Sequence, residues 1–510
     1  MTQRVENSLR NTKYGLLGGA VTLILGLIVR RVFLQVLSEA YLGIQGLFIN
    51  LFSVLSLAEL GVGAAITYAL YKPLAENDSA LIGAYMRYYR KLYLFFGCLV
   101  LAGGLAVMPL MFRFYPELRA VEGVHWFYIG QMLSSVMPYF LGFRYQLLNA
   151  DQKSYIITGY LTATVSAQQI IKIILLYATR SFILYYATEV VLRALTDILL
   201  TRKTNQLYPE VRKAWGEKLP REQKKALVRN IRAMALHHTA NIVVNNTDSL
   251  LMARYASVAA VGLYSNYSVP LKPMNMLYQA LFNSASASIG NLGVTAAHEH
   301  RRRVFEDVFF ASSCALGILC TGLMVLLSPF ITLWVGEAYV MDTAIVQVLV
   351  VNLYIRFMRN PCTMTRNAQG LFWHDRYKAV GEAIVNLVVS IWLGRWMGIA
   401  GILLGTLISQ LIFPVWVEGY VVYKHGFRTS AVVYVRQFLG QTAVFAASAS
   451  LSVAAANQIP GMGIGAFLLK GLISLGISGC LYGALCIKNP HFAYALGLLK
   501  RLFSKRNGNQ

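Results

Sequence analysis

The residues best equipped to bind a ligand here are cations set in apolar surroundings. LVVNLYIRFMRNPC (Leu349–Cys362) carries Arg356 and Arg359 on one helical face, with Arg366 further along near the same face. Arg30 and Arg31 interrupt the first apolar run, and Arg144, Lys172, Arg193, Arg254, Lys272 and Lys470 lie in later ones. A guanidinium grips phosphate or carboxylate oxygens in pairs, whereas an ammonium acts as a point charge. Cations lining a water-filled cavity suit an anionic cargo. For Arg254, Arg366 and Lys470 the plainer alternative is a helix-end residue whose charge reaches back to the interface. The cavity set is therefore Arg30, Arg31, Arg144, Lys172, Lys272, Arg356 and Arg359.

Acids are scarcer. Glu59 sits in LSLAELGVGAAITYALYKPL (Leu55–Leu74) and ends a polar stripe Asn50, Ser53, Ser56, Glu59. Glu189, Arg193 and Asp197 form a second stripe at helical spacing, with Glu N-terminal to Arg, the better orientation for a pair. His237, Asn241, Asn245 and Asp248 form a third. Each stripe has two readings. One is polar glue between helices. The other is a cavity wall, in which Glu59, Asp248, Glu189 and Asp197 are candidates for ion coupling or for structural pairing. No nucleophile triad, nucleotide-binding loop or metal-ligand cluster is present in the sequence. His237 and His238 are isolated from other ligands, and the six cysteines fit neither a zinc site nor a disulfide framework. The reading is a non-enzyme without catalytic residues, metal or cofactor, in which coupling to H⁺, Na⁺ or the membrane potential is open.

The elements that must hold these groups follow from composition. Of 510 residues, 56% are hydrophobic and 13% charged. Apolar runs recur from end to end, and about fourteen are long enough to cross a hydrocarbon core of about 30 Å. This predicts an all-α polytopic membrane protein. The net charge of +24 raises nucleic acid as a partner, but hydropathy excludes it. If the N-terminus is cytoplasmic, most of the 46 Lys and Arg fall in cytoplasmic segments, as the positive-inside rule requires. An even span count leaves both termini cytoplasmic. The basic surplus also attracts anionic lipids of the inner leaflet. The first helix lacks a small-residue cleavage site and is read as retained.

The basic stretch Thr201–Ala235, which includes an amphipathic helix Arg221–Arg232, divides the chain. The predicted organisation is an N-lobe of helices one to six (1–203), a basic cytoplasmic linker (204–235), a C-lobe of helices seven to twelve (236–424), and helices thirteen and fourteen with a basic cytoplasmic tail (425–510). The lobes show faint internal similarity. YLGIQGLFIN (Tyr41–Asn50) opens the second helix and AVGLYSNYSV (Ala260–Val269) the eighth. RYQLLNADQKSY (Arg144–Tyr155) closes the fourth and RNAQGLFWHDRY (Arg366–Tyr377) the tenth. Repeated halves are a common transporter plan.

Tyr41–Ala75 resembles the second helix of bacterial polysaccharide flippases of the Wzx or polysaccharide-transporter type. NNTDSLLMARYASVAAVGLYSNYSV (Asn245–Val269) resembles their seventh-to-eighth helix segment. These proteins belong to the multidrug/oligosaccharidyl-lipid/polysaccharide (MOP) exporter superfamily. The likeness covers the first 300 residues well, and beyond them it is mainly pattern. In the capsule and sugar-translocase branch an Arg in helix one and AELG in helix two recur; Arg30, Glu59 and Asp248 match family positions. The resemblance implies two six-helix lobes in a V, as in MATE-like exporters, plus two C-terminal helices. It implies a bacterial plasma-membrane protein whose cargo is an oligosaccharide on undecaprenyl diphosphate, destined for capsule, exopolysaccharide or a related glycan, with polymerase machinery as a candidate partner. A lipid II flippase and a cation-coupled multidrug exporter are the alternatives on this fold. A glycan polymerase or ligase would need a large external loop with catalytic residues, and the external loops are short.

Overall fold

A computed structural model describes the chain apart from residues 1, 57–61, 214–217, 272–277, 279–297, 370, 372–373, 376, 462, 487–488, 490 and 492–510. Regular structure among the described residues is helical throughout. In chain order the helices are α1 (Thr2–Val36), α2 (Glu39–Leu55), α3 (Val62–Glu76), α4 (Ser79–Phe114), α5 (Val124–Met137), α6 (Gln146–Ala150), α7 (Ser154–Thr179), α8 (Phe182–Leu207), α9 (Pro209–Lys213) and α10 (Arg221–Tyr255). Then come α11 (258–271), α12 (His298–Trp334), α13 (Thr343–Met358), α14 (Asn360–Ala368), α15 (Lys378–Ile412), α16 (Pro414–Val421), α17 (Val432–Asn457) and α18 (Ile464–Cys486). Two helix starts carry aspartate caps. Asp78 accepts from the Leu81 amide at 2.9 Å and Asp342 from the Ala344 amide at 2.7 Å.

Among the described residues seven helical stretches are long and apolar enough to span a membrane. They are Leu17–Val36, Ser79–Phe114, Ser154–Thr179, His298–Trp334, Lys378–Phe427, Val432–Asn457 and Ile464–Ala484. The count of about fourteen apolar runs exceeds this for identifiable reasons. Some runs are broken: α5 gives way at Pro138 to a π-helical turn, and α13 and α14 meet at Arg359, just before Pro361. Others carry too much polarity, such as α8 with Glu189, Arg193 and Asp197. The stretch Lys378–Phe427 folds back on itself at Gly398, whose φ of 55° and ψ of −128° interrupt α15. Asn386 then donates to Thr406 at 3.0 Å and Ser390 to the Ile402 carbonyl at 3.1 Å, the pairing of two antiparallel helices. Large apolar side chains point outward on these stretches, among them Trp392, Trp396, Ile384 and Leu472. Lipid tails make such exposure costless.

The chain divides into two compact units, Met1–Ser265 and Asn266–Gln510. In the first, α1 packs along α7, α7 along α8, and α10 against α2 and α3. Its core is aromatic: the Phe33 ring lies 5.0 Å from Tyr185, Phe48 5.0 Å from Tyr128, and Phe127 4.2 Å from Tyr186, all edge-on. In the second unit α12 packs against α13, α17 and α18, and α13 against α15. This division follows contact density and keeps α10 with the first unit. The division expected from sequence is drawn instead at the basic linker, 204–235.

Candidate functional site

The first unit gathers two of the expected cations around one tyrosine. Lys172, on α7, is 3% exposed. Its ammonium lies 2.9 Å from Glu189 Oε2 and 4.4 Å from the centre of the Tyr185 ring, both on α8. Arg30 lies one turn before Phe33, which packs on the same Tyr185 ring. Its guanidinium donates to Ser265 Oγ. Lys172 is thus paired with Glu189, while Arg30 is anchored on Ser265. The helical stripe on α8 is shared out: Arg193 Nε meets Asp197 Oδ2 at 3.4 Å, while Glu189 faces Lys172. Asp197 and Asp248 are buried, Arg31 is exposed, and Arg144 is half-buried with its guanidinium 5.5 Å from the Phe143 ring. Glu59 and Lys272 lie outside the described residues, as do the side chains of His237, Asn241 and Asn245.

The second unit arranges its charges differently. Arg356 is exposed. Arg359 is not an isolated cation. Its Nε and Nη2 donate to the two oxygens of Glu418 at 3.3 and 3.1 Å, and its Nη1 to Glu382 at 3.3 Å. Lys378 contacts Glu418 directly and Asp375 at 3.5 Å, Arg366 contacts Asp375, and Thr363 donates to Glu418 at 3.3 Å. Arg359, Arg366 and Lys378 face Asp375, Glu382 and Glu418, so the cluster balances among the described residues. The bidentate Arg359–Glu418 pair ties the end of α13 to α16, and Glu382 adds the first turns of α15.

In the sequence Glu382 and Glu418 lie nearer helix ends and are less informative than the polar stripes. The signal that locates them is the Gly398 fold, which brings the two arms of the hairpin alongside each other and so carries both acids to one end. Next to the cluster lies a second polar group, uncharged and buried: Asn352 donates to the Leu403 carbonyl at 2.8 Å and Gln410 to Asn352 at 3.2 Å, beside the Asn386–Thr406 bond. Helices α13 and α15 are joined by these bonds.

The two repeated exit motifs carry similar chemistry. After Arg144, Lys153 pairs with Asp151 at 2.7 Å and Tyr208 donates to the same carboxylate at 2.5 Å. Burial, together with that carboxylate, pushes the Tyr208 hydroxyl well above its ordinary range. After Arg366, the acid is Asp375 and the lysine Lys378. Among the described residues no group of three or more His, Cys, Asp or Glu is arranged to hold a metal ion.

No protein-family sequence model matches the chain, and no curated protein matches it. Solved structures do. The lipid II flippase MurJ in its inward closed conformation superposes with a TM-score of 0.64 at 12% identity, over 93% of this chain and 99% of MurJ. An inward-facing multidrug-resistance MATE transporter of the MOP superfamily follows with 0.61 and 12%, over 78% and 94%. A MOP superfamily transporter from Pyrococcus furiosus gives 0.52 and 10%, over 82% and 95%. At these identities the likeness establishes architecture: the chain is an all-helical, polytopic membrane protein with the fold of the MOP superfamily transporters.

Proposed function

We propose that this chain is a flippase that moves undecaprenyl-diphosphate-linked oligosaccharide from the cytoplasmic to the outer leaflet of a bacterial plasma membrane by alternating access. On this reading it has about fourteen spans with both termini cytoplasmic. The supporting observation is the pair of cations in the first unit, Lys172 over the Tyr185 ring and Arg30 on Ser265 Oγ. A diphosphate is the anion such a pair suits. Arg31, Arg144, Lys272 and Arg356 are secondary cargo contacts, while Arg359 is assigned to holding the second unit together. Outward movement of an anion runs with an inside-negative potential, worth about 2.3 kcal/mol per charge per 100 mV. Glu59 and Asp248 are the candidate ion carriers. Polymerase machinery and anionic inner-leaflet lipids are the proposed partners.

A second reading, flipping of lipid II, draws on the likeness to MurJ over nearly the whole of both chains. Its cargo is also a lipid diphosphate, so charge does not separate the two. A drug exporter for organic cations fits less well, because such cargo favours acids. The Pyrococcus furiosus transporter is described as having a binding pocket of reversed polarity that suggests a different function, a precedent for cargo following polarity on this fold.

The test is a deletion strain whose lipid-linked intermediates are extracted and identified. Accumulation of one undecaprenyl-diphosphate oligosaccharide, rescued by the wild type and not by Arg30→Ala, is expected. Accumulation of lipid II selects the second reading, and drug sensitivity without lipid-linked intermediates rejects both.

A further inference from the structure

The second unit contains a groove of about 630 Å³ that the proposed cargo route does not use. Its floor is apolar, formed by Phe309 and Phe310 of α12 and Val433 of α17, and Asn489 and His491 close one end. Arg436 and Gln441 of α17 supply the polar wall.

The charges in the groove are unevenly satisfied. Glu306 faces it, but the carboxylate is engaged by Arg302 at 3.7 Å, by the Tyr423 hydroxyl at 3.3 Å and by His491 at 4.0 Å. Asp307 is held by His491 Nδ1 at 2.5 Å. Arg436 is exposed and has no ion pair among the described residues. Gln441 Oε1 is a buried acceptor without a hydrogen-bond donor. The groove therefore offers one cation seeking an anion, one acceptor seeking a hydroxyl, and an aromatic floor.

Its position narrows the occupant. α12 opens with Arg301, Arg302 and Arg303, and Lys424 and Arg428 precede α17. The positive-inside rule puts this end of the helices at the cytoplasmic face, at the depth of the inner-leaflet headgroups. The sequence beyond α18 closes one end of the groove through Asn489 and His491, but it supplies no acid to meet Arg436, because no acidic residue follows Glu418 anywhere in the chain.

We infer that this groove is a binding site for an anionic, hydroxyl-bearing phospholipid of the phosphatidylglycerol kind. Arg436 takes the phosphate, Gln441 accepts from a headgroup hydroxyl, and an acyl chain lies on Phe309 and Phe310. Basic pockets between helices on the cytoplasmic side are suited to such headgroups. This assignment is independent of which cargo the protein carries.

The test uses the purified full chain in detergent, with lipids added and bound species counted by native mass spectrometry. Phosphatidylglycerol should bind about tenfold more tightly than phosphatidylcholine, a difference of about 1.4 kcal/mol. Arg436→Ala should abolish that preference. Arg395→Ala, which removes an exposed cation elsewhere in the unit, should leave it intact. Gln441→Leu should remove the preference for phosphatidylglycerol over phosphatidic acid, which lacks the headgroup hydroxyl, while keeping the preference for an anion. Equal binding of phosphatidylglycerol and phosphatidylcholine, or a preference that survives Arg436→Ala, overturns the site. Equal loss in Arg395→Ala also overturns it, because the effect would then be one of general surface charge. An unchanged profile in Gln441→Leu overturns the hydroxyl assignment.

Discussion

If the Arg359 cluster is scaffolding, a charge-balanced replacement should restore what a single replacement destroys. Arg359→Met leaves Glu382 and Glu418, with side chains 12% and 1% exposed, facing one fewer cation. Removing one partner of a buried pair costs about 3–5 kcal/mol, because the other charge is stranded. Lys378 remains on Glu418, so the lower end applies, about 3 kcal/mol. Glu418→Met strands Arg359 and Lys378 in the opposite sense at similar cost, softened by Glu382 and Asp375. The double variant Arg359→Met/Glu418→Met leaves Arg366 and Lys378 against Asp375 and Glu382, again neutral. It should lie within about 1 kcal/mol of wild type, since apolar replacements for buried pairs are often neutral.

Thermal unfolding of the purified chain in detergent measures this. At about 2–4 °C per kcal/mol, each single variant should melt about 6–12 °C below wild type and the double variant close to it. The corresponding coupling is about 5 kcal/mol, above the usual range for residues in contact because each single variant strands a buried charge. A double variant as unstable as the sum of the singles would refute the reasoning, as would an Arg359→Met protein melting with wild type. Transport adds a second discrimination. A double variant that is stable and active confines Arg359 to scaffolding, whereas one that is stable and inactive returns it to the cargo contacts.

Three further outcomes are expected. Gly398→Ala should lower the melting temperature, because φ 55° with ψ −128° is a region side chains avoid, at a cost of about 1–3 kcal/mol; an unchanged melting curve would show that the hairpin turns by another geometry. On the proposed function, Lys172→Met should reduce flipping more than tenfold while Lys172→Arg retains most of it, read in an assay of lipid-linked oligosaccharide; equal activity in all three would remove Lys172 from the proposed cargo contacts. Gly43→Ala should reduce folded yield sharply, because a Cβ there would stand 1.8 Å from the Val258 carbonyl oxygen. Gly262→Ala should do the same, with the double variant less than additive, since one separation of the helices relieves both clashes; independent, additive losses would count against a shared contact.

Much of the architecture was legible from the order of residues because it depends on local pattern. Apolar runs mark helices, and the stripe Glu189, Arg193, Asp197 shows that α8 carries charge on one face. The same stripe also shows where pattern stops. Spacing pairs Arg193 with both neighbours, but only Asp197 contacts it, because Glu189 is claimed by Lys172 of α7. Arg359 is the stronger case. Its guanidinium looks like a cavity cation in sequence, set among apolar residues with no acid nearby. Its partners come from α15 and α16, far along the chain, and nothing local announces them. Polar residues in a membrane are constrained by whatever helix lies opposite, and that information is tertiary.

The faint repeat is the exception in which sequence similarity and tertiary contact explain each other. YLG in α2 and AVG in α11 align Gly43 with Gly262, and with them Glu39 and Val258, each one helical turn earlier. The contacts follow that alignment reciprocally. A Cβ on Gly43 would strike the Val258 carbonyl, and a Cβ on Gly262 would stand 2.5 Å from the Glu39 carbonyl. When residue i of one element meets residue j of another while their equivalents meet in exchange, the contact has the form of a two-fold interface. Small residues let the two backbones approach that closely. Two unrelated helices have no reason to use matching residues at matching turns. Two copies of one ancestral element, paired about an axis between them, require one small residue at one position, and duplication supplies it twice. Gly43 and Gly262, which fall at matching places in the two similar segments, are thus residues at which those segments touch.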